Sequence, residues 1–288
     1  MNPDMRWEAA PAKVNLCLHV TGRRADGYHL LDSLTVFCAV GDRLSVRPAD
    51  DLRLSLSGPR ADGLSARDDN LVLRAARGLA ALTGCGTGAE LILEKCLPVA
   101  SGIGGGSADA AAALRLLCRF WQVDPAPVAL QSLALSLGAD VPVCLNGHAS
   151  RMTGIGETLV DLPPLPPMTL LLVNPGQGVS TPAVFKARQG SFSGALPTPD
   201  WGREPRGLVG YLQGVGNDLE APARDLCPVI GDVLAALARL PGAFLVRMSG
   251  SGATCFALFD DASLAQSGAE SITAAHPDWW AAAGAMLT

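Results

Sequence analysis

Residues 89–120 read AELILEKCLPVASGIGGGSADAAAALRLLCRF, and this stretch decides how the chain is interpreted. Ala89–Leu97 has the pattern of a strand that ends at Pro98. A glycine-rich run follows, and strong helix formers then continue to about residue 120. Glycines let backbone N–H groups turn toward one point, and a helix N-terminus carries about half a unit of positive charge. The stretch therefore predicts a strand, a loop and a helix that together bind a phosphate group.

The glycine run matches neither of two common nucleotide-binding motifs completely. The nucleotide-triphosphatase loop needs a Lys-Ser or Lys-Thr pair after its glycines, and this run has none. The dinucleotide motif G-x-G-x-x-G begins at Gly102 and Gly104, but Ser107 stands at its third glycine. Taken alone, the run is also compatible with a purely structural helix entry.

Composition restricts the class of protein. Hydrophobic residues make up 49% of the chain and aromatic residues only 5%, so the core must consist mainly of Ala, Leu and Val. The net charge of −5 and the absence of a basic stripe argue against nucleic acid or a membrane as partner. The eight cysteines are scattered and lack close-spaced metal ligands, which predicts a reduced, cytoplasmic protein with no metal site. No apolar run approaches the roughly 20 residues that span a bilayer.

Sequence patterns around the glycine run predict an α+β fold, because strands cluster early and helices alternate later. Strands are predicted at 12–20, 34–40, 43–47, 51–57 and 169–174, and a hairpin joins 244–248 to 254–259. Helices are predicted at 70–83, 125–137, 208–213 and 226–239, and residues 188–205 are predicted as a loop. The prolines between 163 and 167 predict a domain boundary, which gives domains 1–162 and 163–288.

Two charged residues in apolar surroundings are candidate catalytic groups. Lys13 lies within an apolar strand, so it either has a buried anionic partner or reaches solvent from an edge strand. Asn15, two residues on, shares its face of the strand. Asp140 precedes Val141-Pro142 and fits a helix N-cap, but a carboxylate near a lysine also suits a general base.

Further candidates for ligand binding lie in turns. Tyr28 and His29 follow an Asp-Gly turn and could stack on and hydrogen-bond a base, or could be ordinary loop residues. Thr181 and Phe185 fit a helix start with an apolar anchor. A second glycine turn fits either a tight hairpin or a second wall of a phosphate pocket; its residues are Ser249, Gly250, Ser251 and Gly252.

Three motifs in order resemble the superfamily of galactokinase, homoserine kinase, mevalonate kinase and phosphomevalonate kinase. They are Pro11-Ala-Lys-Val-Asn-Leu, Pro98-Val-Ala-Ser-Gly-Ile-Gly-Gly-Gly-Ser-Ala-Asp and Met248-Ser-Gly-Ser-Gly-Ala. Segments beginning at Gly22, Gly138, Ser180 and Gly216 resemble one branch of it, which phosphorylates the 2-hydroxyl of a cytidine diphosphate-linked methylerythritol in non-mevalonate isoprenoid synthesis. The resemblance implies an N-terminal domain like ribosomal protein S5 domain 2 and a ferredoxin-like C-terminal domain.

The resemblance also implies roles for individual residues, with ATP and Mg²⁺ as co-substrate and cofactor. Asp140 would take the proton of the substrate hydroxyl, and Lys13 would keep it ionised and stabilise the transferring phosphoryl group. Asn15 and Thr181 would line the polyol and diphosphate end, while Tyr28, Phe185 and His29 would hold cytosine. The ATP loop would be Pro98, Val99, Ala100, Ser101, Gly102, Ile103, Gly104, Gly105, Gly106, Ser107 and Ala108.

The chain departs from the resemblance at two places, and two other functions stay open. Val99-Ala100-Ser101 replaces a glycine-richer opening, and Ala108 stands where a serine is common; both changes preserve the backbone N–H groups. The alternatives are a sister kinase acting on mevalonate or homoserine, and a nonenzymatic module that binds RNA or a nucleotide. The expected state is a monomer or a homodimer.

Overall fold

A computed structural model of the chain describes residues 7–67, 69–85 and 88–287. Its strands are β1 (Glu8–Arg23), β2 (His29–Pro48), β3 (Leu52–Ser57), β4 (Ala89–Glu94), β5 (Ser150–Gly154), β6 (Thr158–Asp161), β7 (Thr169–Asn174), β8 (Leu245–Met248), β9 (Cys255–Phe259) and β10 (Trp280–Leu287). Its helices are α1 (Leu71–Thr83), α2 (Gly105–Phe120), α3 (Pro127–Leu137), α4 (Val141–Asn146), α5 (Thr181–Ala187), α6 (Pro205–Gln213), α7 (Glu220–Leu226), α8 (Val229–Leu237) and α9 (Ala262–Ala275). Contacts divide these elements into two compact units, each assembled from non-consecutive segments.

Unit 1 contains the described residues within 1–12, 41–99 and 104–147. In its sheet β4 lies between the second half of β2, which is antiparallel to it, and β3, which is parallel to it. Helix α2 packs against α1 and α4, and α1 also contacts α3 and β3. The consecutive residues Ala110–Ala113 are all buried, so α2 is covered on every side there, and their small side chains let neighbouring elements approach closely.

Unit 2 contains residues 13–40 and 100–103 and the described residues within 148–288. Strand β7 lies between β9 and β10, and β8 pairs with the far side of β9, all antiparallel. The end of β10 pairs with the first half of β2, which also pairs with β5. Every residue of β7 is buried, because α9 covers the sheet and Leu171 and Val173 belong to the core of the unit.

The mixed architecture confirms the predicted α+β class, while several predicted element boundaries are wrong. The strands predicted at 34–40 and 43–47 form one continuous strand, β2. It continues through Gly41, which passes so close to β1 that a Cβ there would lie 2.5 Å from the carbonyl oxygen of Ala10. Strand β4 ends at Glu94 rather than at residue 97, because Cys96 and Leu97 donate their N–H groups to Asp42.

Two differences concern the second half of the chain. The helix predicted over 226–239 is the shorter α8, which begins only after Pro228 because proline has no N–H for a helix hydrogen bond, and α7 precedes it as a separate helix. The two contact-based units are discontinuous, so the division into residues 1–162 and 163–288 stays a prediction. Among the described residues, no helix combines the length and hydropathy that crossing a membrane requires.

Candidate active site

The helix predicted to receive a phosphate group begins at Gly105, with Gly104 as its N-cap. Gly104 has a left-handed backbone, with φ of 65°, which glycine adopts without a Cβ clash. Its carbonyl accepts a hydrogen bond from the N–H of Ala108 at 2.8 Å. No side chain caps this helix end within the described part of the chain, and its first turn carries no acidic residue. The first N–H groups of α2 are therefore available to an anion.

The predicted phosphate loop contributes to both units. Pro98, Val99 and residues 104–108 belong to unit 1, whereas residues 100–103 belong to unit 2. Val99 and Ala100 are exposed, while Ser101 and Ile103 are buried. The loop therefore has a solvent-facing opening and buried anchors on its C-terminal side.

A buried ion cluster lies at the base of α2 in unit 1. The Nζ of Lys95 donates to Asp42 Oδ2 at 2.5 Å and to Asp109 Oδ2 at 2.7 Å, and all three side chains are almost fully buried. A Cβ on Gly105 would lie 3.1 Å from Nζ, so the first residue of the helix sits directly on the ammonium group. Asp42 Oδ1 also accepts the N–H groups of Cys96 and Leu97 at 2.6 and 2.8 Å. The cluster thus ties together β2, the end of β4 and the start of α2.

Burial and neighbouring charges raise the pKa of one carboxyl group in this cluster, that of Asp109. Burial raises the pKa of Asp109 to about 7; the ammonium of Lys95 opposes that shift and the carboxylate of Asp42 reinforces it. Burial alone would lower the pKa of Lys95, but the charges of Asp109 and Asp42 raise it. Asp109 Oδ1 is buried and accepts no hydrogen bond among the described residues. Lys95 is therefore charged at neutral pH, while Asp109 holds a proton more readily than an ordinary carboxyl.

Asp140, the candidate base, lies in unit 1 at the start of α4. It is the N-cap residue of that helix, with Pro142 in the first turn, as one of the two sequence interpretations requires. Its side chain nevertheless makes no capping hydrogen bond to α4 and is half-buried. The structure therefore supports the N-cap position that the sequence predicts, but not a capping hydrogen bond from the carboxylate.

Lys13, in unit 2, is buried, with 4% of its surface exposed, so the solvent-reaching edge-strand alternative is wrong. Its Nζ donates to Asn15 Oδ1 at 3.0 Å. Asn15 Nδ2 in turn donates to Ser33 Oγ at 2.7 Å and to Thr35 Oγ1 at 3.3 Å. Because both amide hydrogens are directed to hydroxyls on β2, the amide oxygen of Asn15 faces the lysine.

The second glycine turn joins β8 to β9 and also contacts the phosphate loop, so the two sequence interpretations are compatible. The N–H of Asn15 donates to Ser249 Oγ at 3.1 Å, and that hydroxyl lies 3.4 Å from the carbonyl oxygen of Gly102. A Cβ on Gly102 would lie 2.3 Å from the carbonyl oxygen of Gly252. Only glycine allows the two turns to pass this closely.

Two hydroxyls and a backbone hydrogen bond complete this junction. The N–H of Thr254 donates to the carbonyl of Ser101 at 3.1 Å. Ser251 Oγ and Thr181 Oγ1 are 2.7 Å apart, which connects the turn to the first residue of α5. Unit 2 therefore brings Lys13, Asn15, Thr181 and both glycine turns into one polar cluster.

Aromatic candidates lie one turn farther along α5. Phe185 stacks on His29, with ring centroids 4.8 Å apart and an interplanar angle of 19°. Partial burial lowers the pKa of His29, and the charges of Arg23 and Arg188 lower it further, so its imidazole is neutral at pH 7. Tyr28 is 60% exposed and takes no part in this stack. One face of the Phe185 ring is therefore covered by a neutral imidazole in this structure.

Sequence reasoning missed two groups that support the candidates. Lys95 with Asp42 and Asp109 is one, and its only signals are the rarity of lysine in this chain and an aspartate within an alanine run. The other is Asn217 with Glu220, in the segment beginning at Gly216, which carries part of the family resemblance but received no role from the sequence; both contact the second glycine turn.

Comparison with known proteins identifies the family. Residues 70–148 match the family model described as GHMP kinases N terminal domain, and residues 206–278 match GHMP kinases C terminal. A 4-diphosphocytidyl-2-C-methyl-D-erythritol kinase of Rhodospirillum rubrum is 54% identical over 280 residues, which are 97% of this chain and 92% of that protein. The protein of that name from Paracoccus denitrificans is 55% identical over 286 residues, 99% of this chain and 98% of its own length.

Solved structures give the same result. A crystal structure of 4-(cytidine 5'-diphospho)-2C-methyl-D-erythritol kinase has a TM-score of 0.81 and 35% identity, covering 98% of this chain and all of that one. Homoserine kinase from Cytophaga hutchinsonii has a TM-score of 0.70 at 18% identity, covering 100% of this chain and 96% of its own. That second likeness concerns the fold alone. The two family models and the 35% identical structure confirm the predicted two-domain kinase architecture.

Proposed function

This chain belongs to the GHMP kinases, among the 4-diphosphocytidyl-2-C-methyl-D-erythritol kinases, and from that premise we propose how its residues perform the reaction. The reaction transfers a phosphoryl group from ATP to the 2-hydroxyl of 4-diphosphocytidyl-2-C-methyl-D-erythritol. The observation that carries the proposal is the junction in unit 2, where the Lys13–Asn15 pair meets both glycine turns. Phosphoryl transfer depends mostly on positioning and charge stabilisation, and this cluster supplies both.

ATP binding is assigned to the glycine run and to the start of α2. The N–H groups of Gly105, Gly106 and Ser107, ahead of the first helix hydrogen bond, and the helix dipole receive phosphate oxygens. The exposed opening at Val99 and Ala100 gives the nucleotide access, and their replacement of glycines leaves the backbone donors in place.

Proton transfer is assigned to Asp140 and charge stabilisation to Lys13. The carboxylate of Asp140 accepts the proton of the 2-hydroxyl as that oxygen attacks the γ-phosphorus of ATP. The ammonium of Lys13, oriented by the amide oxygen of Asn15, stabilises the charge that develops on the transferring group. Ser33 and Thr35 support this function by fixing the amide.

Cytosine recognition is assigned to the aromatic group on β2 and α5. Cytosine stacks between Phe185 and Tyr28 once the imidazole of His29 has left the Phe185 face that it covers in this structure, and the neutral imidazole then hydrogen-bonds the edge of the base. Thr181, one turn before Phe185 on α5, faces the diphosphate and polyol. Mevalonate and homoserine carry no base, so a sister kinase has no need of this group.

Magnesium is expected to enter with ATP. The described residues contain no cluster of three or more His, Cys, Asp or Glu side chains that could hold a metal ion, and Asp42 and Asp109 are both paired with Lys95. A metal held mainly by nucleotide phosphates and water fits that donor set, and Mg²⁺ then neutralises phosphate charge. We place the reaction in the cytoplasm, in a monomer or homodimer.

The test is ATP consumption with 4-diphosphocytidyl-2-C-methyl-D-erythritol, mevalonate and homoserine side by side, with Asp140→Asn as control. We expect turnover with the first alcohol only, and a loss of kcat in the variant by a factor on the order of 100 or more with ATP affinity unchanged. Turnover with another acceptor would remove the cytosine assignment. RNA binding that weakens with salt, without turnover of any alcohol, would favour the nonenzymatic module.

A further inference from the structure

The segment Gly216–Glu220 follows α6 and ends at the first residue of α7, and it contacts the second glycine turn through two side chains. Asn217 Nδ2 donates to the carbonyl oxygens of Met248 and Gly250, each at 2.8 Å. Its Oδ1 accepts the N–H of Leu219 at 3.0 Å, which fixes the orientation of the amide. Glu220 Oε2 accepts the N–H of Met248 at 3.1 Å. Both backbone polar groups of Met248 are therefore held by this segment.

The same segment is bonded along β1, the strand that carries Lys13. The N–H of Leu18 donates to the carbonyl of Gly216, and the N–H of Asp218 donates to the carbonyl of Leu18, both at 2.9 Å. Asp218 Oδ2 accepts the N–H of Val20 at 2.7 Å. The segment thus forms an isolated parallel β-bridge with β1, between Leu18 and Asn217, and connects that strand to the glycine turn.

These hydrogen bonds determine the position of the Ser249 hydroxyl in the second glycine turn. Asn217 donates hydrogen bonds to the carbonyls on both sides of Ser249, and Gly250 has a left-handed backbone with φ of 55°. With those two peptides fixed, Ser249 Oγ reaches the N–H of Asn15 and the carbonyl of Gly102. Asparagine suits this position because it has two N–H donors and one acceptor on a one-carbon stem.

We infer that Asn217 and Glu220 are positioning residues for phosphoryl transfer, which hold the second glycine turn in register with Asn15 and with the phosphate loop. The inference rests on the proposed function. Neither residue needs to touch a substrate; each acts through the backbone of residues 248–250. A displacement of about 1 Å in a group that aligns reactants lowers a rate by about 100-fold.

The first test is Asn217→Asp, which keeps the shape of the side chain but replaces both N–H donors with an oxygen facing two carbonyls. We expect kcat to fall by roughly 10- to 100-fold. The KM for the cytidylyl substrate should change less than about threefold, since its base is bound by other residues. A folded Asn217→Asp enzyme with wild-type kcat would overturn the inference.

Glu220 provides a matched pair of variants. Glu220→Gln retains an oxygen that can accept the N–H of Met248 and should keep kcat within about twofold, whereas Glu220→Ala should lose about tenfold. Asp218→Asn is the control, because its side chain accepts from Val20 on β1 and not from the turn. Equal losses in Glu220→Gln and Glu220→Ala, or a loss in Asp218→Asn as large as in Asn217→Asp, would contradict the positioning role.

A measurement without turnover separates this inference from the assigned reaction. Amide hydrogen exchange of residues 249–254 in the free protein should be at least tenfold faster in Asn217→Asp than in wild type, with exchange in β7 unchanged. If wild type phosphorylates none of the three alcohols, the proposed function fails while the exchange result still tests the turn. Unchanged exchange in the turn would reject the inference whatever the activity.

Discussion

Replacing Lys95 with methionine removes the ammonium that lies between Asp42 and Asp109. Methionine has nearly the length of the lysine stem, so the change tests charge rather than packing. The side chains of Lys95, Asp42 and Asp109 are 4%, 0% and 4% exposed, so water cannot screen the two carboxylates that remain. Removing one partner of a buried ion pair lowers the free energy of unfolding by about 3–5 kcal/mol. For a chain of this size that corresponds to a fall in Tm of about 6–20 °C.

The free energy of unfolding that Lys95→Met loses should depend on pH, and the pKa of Asp109 sets the direction of that dependence. Because the pKa of Asp109 is raised to about 7, the folded state binds this proton more tightly than the unfolded state does. Its contribution to stability is therefore full below the ordinary carboxyl pKa and is lost as pH rises through about 7. Without Lys95, protonation is the remaining way to neutralise the pair. The deficit of Lys95→Met should therefore be larger at pH 8 than at pH 5.

Urea unfolding at pH 5, 7 and 8 measures the effect, with Lys186→Met, an exposed lysine on α5, as the control. The double variant Lys95→Met with Asp109→Asn should recover part of the loss, because it leaves one buried carboxylate instead of two. A deficit below about 1 kcal/mol at pH 8, or one that grows as pH falls, would refute this account of the cluster.

Three further predictions concern the candidate site. Phe185→Ala should raise the KM for the cytidylyl substrate by roughly 5- to 150-fold, since stacking is worth about 1–3 kcal/mol per base, and should leave the KM for ATP unchanged; an unchanged substrate KM would remove Phe185 from the site. Burial and the charges of Arg23 and Arg188 lower the pKa of His29 below its ordinary value of 6.5, so most of the imidazole is neutral at pH 7 and at least half at pH 6.5. Substrate affinity should therefore fall by less than about twofold from pH 8 to 6.5 and further at lower pH, and a larger fall above pH 6.5 in a calorimetric titration would contradict the assigned role of neutral His29. Gly102→Ala should lower kcat/KM by about 100-fold, because its Cβ would meet the carbonyl of Gly252 at 2.3 Å. Gly84→Ala is the kinetic control, since Gly84 also has a positive φ but has open space around the new Cβ. Equal losses of kcat/KM in both variants would mean that the close approach of Gly102 to Gly252 is irrelevant.

Local signals account for the parts of the site that could be predicted. The strand, glycine run and helix of residues 89–120 form as the pattern requires, because capping, glycine turns and helix propensity act between residues close in sequence. Asp140 likewise occupies the N-cap that Pro142 indicates. The resemblance of several ordered motifs identifies the kinase family, which the relatives confirm.

Long-range pairing accounts for what the sequence left undecided. Residues 280–287 are rich in alanine and carry no strand pattern, yet they form β10 because β7 and β2 offer unpaired edges to them. The ion cluster brings together residues 42, 95 and 109. The hydrogen bonds to the second glycine turn bring residues 217 and 220 together with 248 and 250.

The sequence by itself determined the local elements, the kinase family and the residue types available for chemistry. Tertiary structure alone decided that Lys13 is buried against Asn15, that the glycine turns of residues 101–102 and 249–252 meet, and that Lys95 holds two carboxylates together. The reason is physical: backbone propensities act over a few residues, whereas the energy of a buried polar group depends on partners that only the folded chain brings within hydrogen-bonding distance.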